Sequence, residues 1–414
     1  MSGIDRYREL LGRPHARAFV AWSLLGRLPL GMTALALLFL LRGEGYGYGA
    51  AGVGVAGYTV AVGVGAPIAG RRVDRLGPAR VLGTRAVLYA VFAAAIVALA
   101  LLDAGLAPIA LAAVACGLSM PPLSATVRIV WPRFAPHELR STAYALEAAL
   151  QEIFFLGGPL LAAGLAALDP VAGVAGAGAA CFAGTLATAR LPPVRATPAS
   201  RHEGAGLLGA LGSPGVRTVV LYAATIGAGF GAVELAMPAF AEAHGSRELG
   251  GLALACFSGG SLTGGLLAGM RSHGNDLRRF VLGSLGIAAG MLCFQLAFSI
   301  PSLCVVAFVA GLPIAPTVAV VYTLIDRSAR TGTAAEAFAW FGTAVSVGLA
   351  AGAAGAGVLV DERGVRWAFG VGAALAFLGA LVGFARRETF SADQASTRAG
   401  EPHGSPATPP PPGS

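Results

Sequence analysis

The chain of 414 residues contains no lysine; its positive charge is carried by 29 arginines, set against 21 acidic residues. A G-x-x-x-x-G-K-[ST] phosphate loop is therefore impossible, and with it nucleotide hydrolysis by that device. Charge of either sign is scarce. Charged residues make up 12% of the chain, about half of the roughly 25% usual in soluble domains. Apolar residues make up 56%. There is too little polar surface to coat a folded core of this size, so a soluble enzyme is excluded and lipid must act as part of the solvent. The five cysteines (Cys116, Cys181, Cys256, Cys293 and Cys304) all fall in apolar runs. They read as small hydrophobes, without metal-ligand spacing or a disulfide framework. The six histidines, at 15, 137, 202, 244, 273 and 403, lie outside those runs. No catalytic residue, metal site or bound cofactor is expected, although a proton gradient could drive such a protein.

What is abundant is long apolar sequence. Twelve segments are read, near 18–41, 50–69, 81–102, 108–127, 142–167, 171–189, 217–241, 250–270, 280–299, 302–325, 334–360 and 367–385. Each approaches the length of about 20 residues that crosses a bilayer as a helix. The first is too long for a signal-peptide core, and no small-residue cleavage site follows it. Arginine is distributed unevenly: 23 lie in segments on the side of the N-terminus, four lie in the alternate loops, and Arg27 and Arg85 lie inside spans. By the positive-inside rule both termini are expected in the cytoplasm. The net charge of +8 thus reads as membrane topology, and no nucleic-acid partner is expected. Residues 1–17 form a cytoplasmic N-terminal segment. Residues 18–189 and 217–385 form two six-helix bundles, joined by a cytoplasmic loop at 190–216. Residues 386–414, ending in a proline run, are read as a disordered tail. The fold class is an all-α polytopic membrane protein.

The loop after the second span reads Gly70-Arg71-Arg72-Val73-Asp74-Arg75-Leu76-Gly77-Pro78-Ala79-Arg80. It resembles the G-x-x-x-D-R-x-G-x-x-R signature of the major facilitator superfamily, at the same place in a 12-span chain. The resemblance covers about residues 16–387. It implies two bundles related by a pseudo-two-fold axis and a secondary transporter working by alternating access. It also implies that Gly70, Asp74, Arg75, Gly77 and Arg80 form a gating element, with Asp74 meeting the start of span 11 near Glu336 and holding the cytoplasmic side closed. Physically, glycines permit a tight turn and close helix approach, and an anion suits a helix N-terminus. Residues 269–274 carry a degenerate echo of the motif. Gly157-Gly158-Pro159 with Gly164 is similar to the glycine–proline element of antiporter-type facilitators, and Pro159 is expected to bend span 5 at Gly158. The glycines of spans 2, 5, 8 and 11 are expected to form a sliding interface between the halves.

Charges inside spans are costly and usually face a cavity or a partner. Arg27 in span 1 and Glu152 in span 5, with Gln151 beside it, lie near mid-depth and are expected to face each other as a coupling pair. Glu147 lies nearer the cytoplasm, Glu234 in the outer third of span 7, Glu336 at the mouth of span 11 and Arg85 at the mouth of span 3. Arg128, Trp131 and Arg133, beyond Pro121-Pro122, read as interface anchors at headgroup depth. The resemblance implies a monomeric small-molecule transporter of a bacterial plasma membrane. Proton-coupled efflux of a drug-like or amphipathic compound is preferred, with uptake of a sugar or organic acid as the rival. A receptor or intramembrane enzyme on the same scaffold is the remote alternative, since only scattered single charges are found.

Overall fold

A computed structural model gives the architecture and describes residues 3–46, 48–199, 209–245, 249–270 and 275–390. Every regular element among them is helical, and twelve helices are long and apolar enough to cross a membrane. Spans 1 to 6 are Ala16–Gly43, Tyr48–Leu76, Pro78–Leu101, Leu106–Phe134, Arg140–Ala166 and Ala172–Arg190. Spans 7 to 12 are Pro214–Ala243, Gly250–Gly269, Asp276–Leu296, Ile300–Ser328, Ala334–Arg363 and Val365–Ala385. A separate helix, Gly3–Gly12, precedes them. Large apolar side chains stand on the outside, Leu101 at 69% exposed and Leu111 at 71%. In water such a surface would aggregate; against lipid it is solvated.

The spans pack as two bundles of six with matching contacts. In the first, span 1 packs on spans 5 and 6, span 2 on span 4, and span 3 on span 6. In the second, span 7 packs on spans 11 and 12, span 8 on span 10, and span 9 on span 12. Adding six to each number of the first set yields the second, which is a pseudo-two-fold arrangement. The halves meet through spans 2 and 11, 5 and 8, and 5 and 10.

Spans 4 and 10 are both interrupted. Span 4 consists of Leu106–Leu118 and Leu123–Phe134, and span 10 of Ile300–Gly311 and Ile314–Ser328. Pro121-Pro122 and Pro313 sit at the breaks, where a missing N–H frees carbonyls that lipid cannot satisfy. Arg85 of span 3 closes part of this deficit. Its Nη1 donates to Leu118 O at 2.7 Å and Met120 O at 3.0 Å.

Four sequence expectations need correction. Residues 70–76, read as loop, continue the helix of span 2, so the turn before span 3 is made at Gly77 alone, with φ +82°. Span 4 runs to Phe134, because the break at 119–122 is an interruption and not an end. Arg128 and Trp131 are therefore interior, 5% and 1% exposed, and not headgroup anchors. Of the glycines of spans 2, 5, 8 and 11 that closely approach another helix, most do so within a half. Gly348 and Gly352 face Ala224 and Ala228 of span 7, Gly260 and Gly264 face span 10, and Gly158 faces Gly31 of span 1. Only a few, such as Gly70, Gly265 and Gly269, touch the other half. Finally, the start of the tail is ordered: Phe390 is buried edge-on against Phe280 and Arg386 donates to Thr218. The remainder of the tail, residues 200–208 of the central loop and the echo at 271–274 lie outside the described residues.

Candidate functional site

The first layer of the site is at the arginine-rich face, where spans 2 and 11 meet. The first N–H groups of a helix have no partner within it. Asp74 supplies one: its two carboxylate oxygens accept from Ala335 N at 3.0 Å and Glu336 N at 2.9 Å. The negative charge also complements the positive end of the span 11 dipole. Gly70 makes this approach possible, since a Cβ there would lie 2.6 Å from Ala335 O. Arg71, one turn before Asp74, holds the Glu336 carboxylate through Nε at 3.1 Å and Nη2 at 2.9 Å. Trp340 Nε1 donates to the same carboxylate at 3.4 Å. Arg75 and Arg80, expected in this element, are instead exposed. Arg75 follows Asp74 directly and so points away from the face that meets span 11.

A second layer lies deeper. Glu147 is fully buried and pairs with Arg27 Nη1. Arg27 is 1% exposed, donates from Nε to Ser23 O at 3.0 Å, and lies over the Phe154 ring. Arg128 of span 4 approaches the same oxygen of Glu147, its Nε stopping at 4.0 Å, and the second carboxylate oxygen has no hydrogen-bond partner among the described residues. Its Nη2 donates to Gln151 Oε1 at 2.9 Å and to the Tyr322 hydroxyl of span 10 at 2.7 Å. Tyr322 in turn donates to Gln151 Oε1 at 2.9 Å, and its ring lies 4.1 Å from the Arg128 guanidinium carbon. One connected network thus crosses from the first half to the second.

A third layer is at mid-depth. Glu152 accepts from Ser261 Oγ of span 8 at 2.8 Å. Glu234 of span 7 is close enough for its charge to act on that of Glu152. Glu152 does not face Arg27, which corrects the expected pair. Helical periodicity explains the difference. Glu147 and Gln151 are four residues apart and share the face of span 5 that meets spans 1 and 4, whereas Glu152 is turned a further 100° toward span 8. Pro159 lies within span 5, which continues as helix to Ala166, and Gly158 stacks on Gly31 with no room for a side chain.

Sequence reasoning missed Arg128 and Tyr322. The signal was available for Arg128, a third arginine of the membrane interior once span 4 is read through its proline break. Tyr322 carries no pattern that separates it from a packing aromatic. No cluster of three or more His, Cys, Asp or Glu side chains able to hold a metal ion occurs among the described residues.

The hydrogen bonds that join the halves gather at the arginine-rich face and at mid-depth. They include Tyr7 to Leu266 O at 3.0 Å, Thr142 to Gly269 O at 3.0 Å and Thr343 to Gly63 O at 3.1 Å. Spans 1 and 7, by contrast, make no extended contact with each other among the described residues. The structure is closed on the arginine-rich face.

Solved structures that this chain resembles include transporters and a transporter homologue. A bacterial homologue of the iron transporter ferroportin, in an outward-facing state, superposes with a TM-score of 0.69 at 14% identity, covering 89% of this chain and 98% of that one. The proton:xylose symporter XylE gives 0.65 at 15% identity, covering 88% and 94%. The human organic anion transporter MFSD10 gives 0.61 at 16% identity, covering 90% and 100%. At these identities the likeness is one of fold. Among curated protein sequences none matches significantly. The family model described as Major Facilitator Superfamily matches residues 22–269 and 219–410. With the two bundles, the Asp74 contact and that match together, the chain belongs to the major facilitator superfamily.

Proposed function

We propose that the protein is a proton-coupled secondary transporter that exports an amphipathic small molecule across a bacterial plasma membrane. It works as a monomer, with both termini and the arginine-rich face in the cytoplasm. The observation that carries this reading is the placement of the inter-half bonds. They close one face and stop at mid-depth, and each contact consists of one or two hydrogen bonds that can be broken and remade. Two bundles joined this way can rock between a state closed inside and one closed outside.

Proton coupling is assigned to Glu152. Its carboxylate has a hydroxyl partner on the opposite half and no arginine within pairing distance among the described residues. A carboxylate without a counter-ion is costly in the membrane interior, and its exposure changes as the halves move. Efflux is supported by the positive-inside topology, which places the closed face on the cytoplasmic side.

The test is flux in proteoliposomes with an imposed pH gradient. Wild-type protein should move unmodified solute uphill when the gradient is present. Glu152→Gln should retain downhill exchange and lose uphill accumulation by at least tenfold. A Glu152→Gln protein with wild-type uphill flux would remove the coupling role. Uphill movement only toward the arginine-rich side would replace export with uptake.

A further inference from the structure

The network around Glu147 contains more positive charge than it uses. Arg27 and Arg128 share one carboxylate: Arg27 is hydrogen-bonded to it, while Arg128 Nε stands 4.0 Å from the same oxygen. Arg128 is a second guanidinium, 5% exposed, held by two neutral acceptors, Gln151 and Tyr322. Its Nε has no hydrogen-bond partner among the described residues. Two interior guanidiniums sharing one carboxylate leave positive charge uncompensated, which is expensive, and a purely structural role would be met better by an apolar side chain. Glu152 does not supply the missing charge, because its carboxylate is turned to Ser261.

The shape of the vacancy is informative. Nε and Nη2 lie on one edge of a guanidinium, the edge that grips a carboxylate with two parallel bonds. Arg71 uses this edge on Glu336, at 3.1 and 2.9 Å. On Arg128 the same edge is half filled: Nη2 is occupied by a phenol and an amide, and Nε is empty. Of the occupants, Gln151 and Glu147 belong to the same half as Arg128, and Tyr322 belongs to the other. When the halves part at the arginine-rich face, Tyr322 leaves with span 10 and takes its hydroxyl and its ring. Arg128 then faces the opened cavity with its bidentate edge exposed.

We propose that Arg128 is the binding residue for a carboxylate on the transported amphiphile, and that the Tyr322 hydroxyl displaces this carboxylate when the arginine-rich face closes. The inference rests on the transport reading above and names its substrate class. It also accounts for direction. The anion is held when the cavity faces the arginine-rich side, and it loses its partner to Tyr322 when the cavity faces the other side.

The experiment uses the full chain in nanodiscs and follows its thermal unfolding with decanoate and 2-naphthoate, each against its neutral amide. Ligand that binds the folded state raises the midpoint in a concentration-dependent way. The carboxylates should raise it and the amides should not. Arg128→Gln should weaken carboxylate binding at least tenfold. Without ligand it should unfold near the wild-type midpoint, because Glu147 keeps Arg27. Tyr322→Phe keeps the ring, removes the competing hydroxyl and should tighten binding several-fold. Equal shifts with acid and amide, or no shift with either acid, overturn the proposal; in the latter case Glu147 itself fills the edge. An unchanged response in Arg128→Gln or no gain in Tyr322→Phe does so too. If chloride alone reproduces the shift, the site takes an inorganic anion and the substrate assignment falls. Solute flux that persists at the wild-type rate in Arg128→Gln overturns this inference and leaves transport standing. Carboxylate binding with no flux of any solute overturns transport instead.

Discussion

Arg27 and Arg128 are both buried in the membrane interior beside Glu147, and the structure gives them opposite roles. Removing the Arg27 side chain leaves a fully buried carboxylate without its hydrogen-bonded partner, with Arg128 4.0 Å away. Breaking a buried pair on one side costs about 3–5 kcal/mol. Arg27→Gln should therefore lower the thermal midpoint sharply, while Arg128→Gln changes stability by no more than about 1 kcal/mol. A thermal scan of both variants in one detergent would check this, and equal losses would mean that Glu147 is shared. The sequence named Arg27, Glu147, Gln151 and Glu152 as interior polar groups but paired the wrong two. Depth along a helix is legible from counting residues. Facing is not, because 100° of rotation separates Gln151 from Glu152 and only tertiary packing decides which neighbour each one meets.

At the scale of the element, the helix Gly3–Gly12 does more than its place before the first span suggests. Leu10 is fully buried, and the helix touches spans 1, 5 and 8, so it lies across both halves on the closed face. The Tyr7 hydroxyl donates to Leu266 O at 3.0 Å, and its oxygen nests against Gly269. Burial pushes the Tyr7 phenol up to about 12 from its usual value near 10. A group whose folded pKa is raised contributes its stability below the unfolded value and loses it as pH climbs through the folded one. This contact should therefore hold through neutral pH up to about 10 and fail between about 10 and 12. Tyr7→Phe should favour opening of the arginine-rich face at neutral pH, read as faster exchange in a single-turnover flux assay. A rate equal to wild type would show that the helix only packs. The amphipathic pattern Ile4, Tyr7, Leu10, Leu11 was present in the sequence. Its partner, a carbonyl in span 8, has no sequence signature. The proline breaks in spans 4 and 10 were visible as residues too, yet their consequence was hidden, because Arg85 caps carbonyls that a linear reading cannot place beside it.

For the molecule as a whole, the balance between states is set by few bonds. Asp74 contributes two charge-assisted hydrogen bonds to the closed face, each worth roughly 1.5–3 kcal/mol. Asp74→Asn keeps one acceptor and loses the charge. It should shift the population toward the form open on the arginine-rich face by about tenfold, for a change of roughly 1.4 kcal/mol. Spin labels replacing Arg80 and Arg278, exposed at the starts of spans 3 and 9, would report it as a second, longer distance. An unchanged distance distribution would place the closing free energy in spans 5, 8 and 10. The twelve spans and the two bundles were legible because hydrophobic length is a strong signal. The interface between halves was not. Glycine content marks close packing wherever it occurs, and here most of it serves span 1 on span 5, span 2 on span 4, span 7 on span 11 and span 8 on span 10 within each half.

The contact between Tyr7 and Leu266 joins residues 259 positions apart. The helix Gly3–Gly12 is made before the spans, and its acceptor is made only after seven spans and most of an eighth have left the ribosome. Until then the helix has half a binding site, formed by spans 1 and 5, and its Arg6 and Arg8 suit a resting place among anionic lipid headgroups. Docking of this helix thus waits in biogenesis for the second bundle to begin, and it marks a chain whose eighth span is in place.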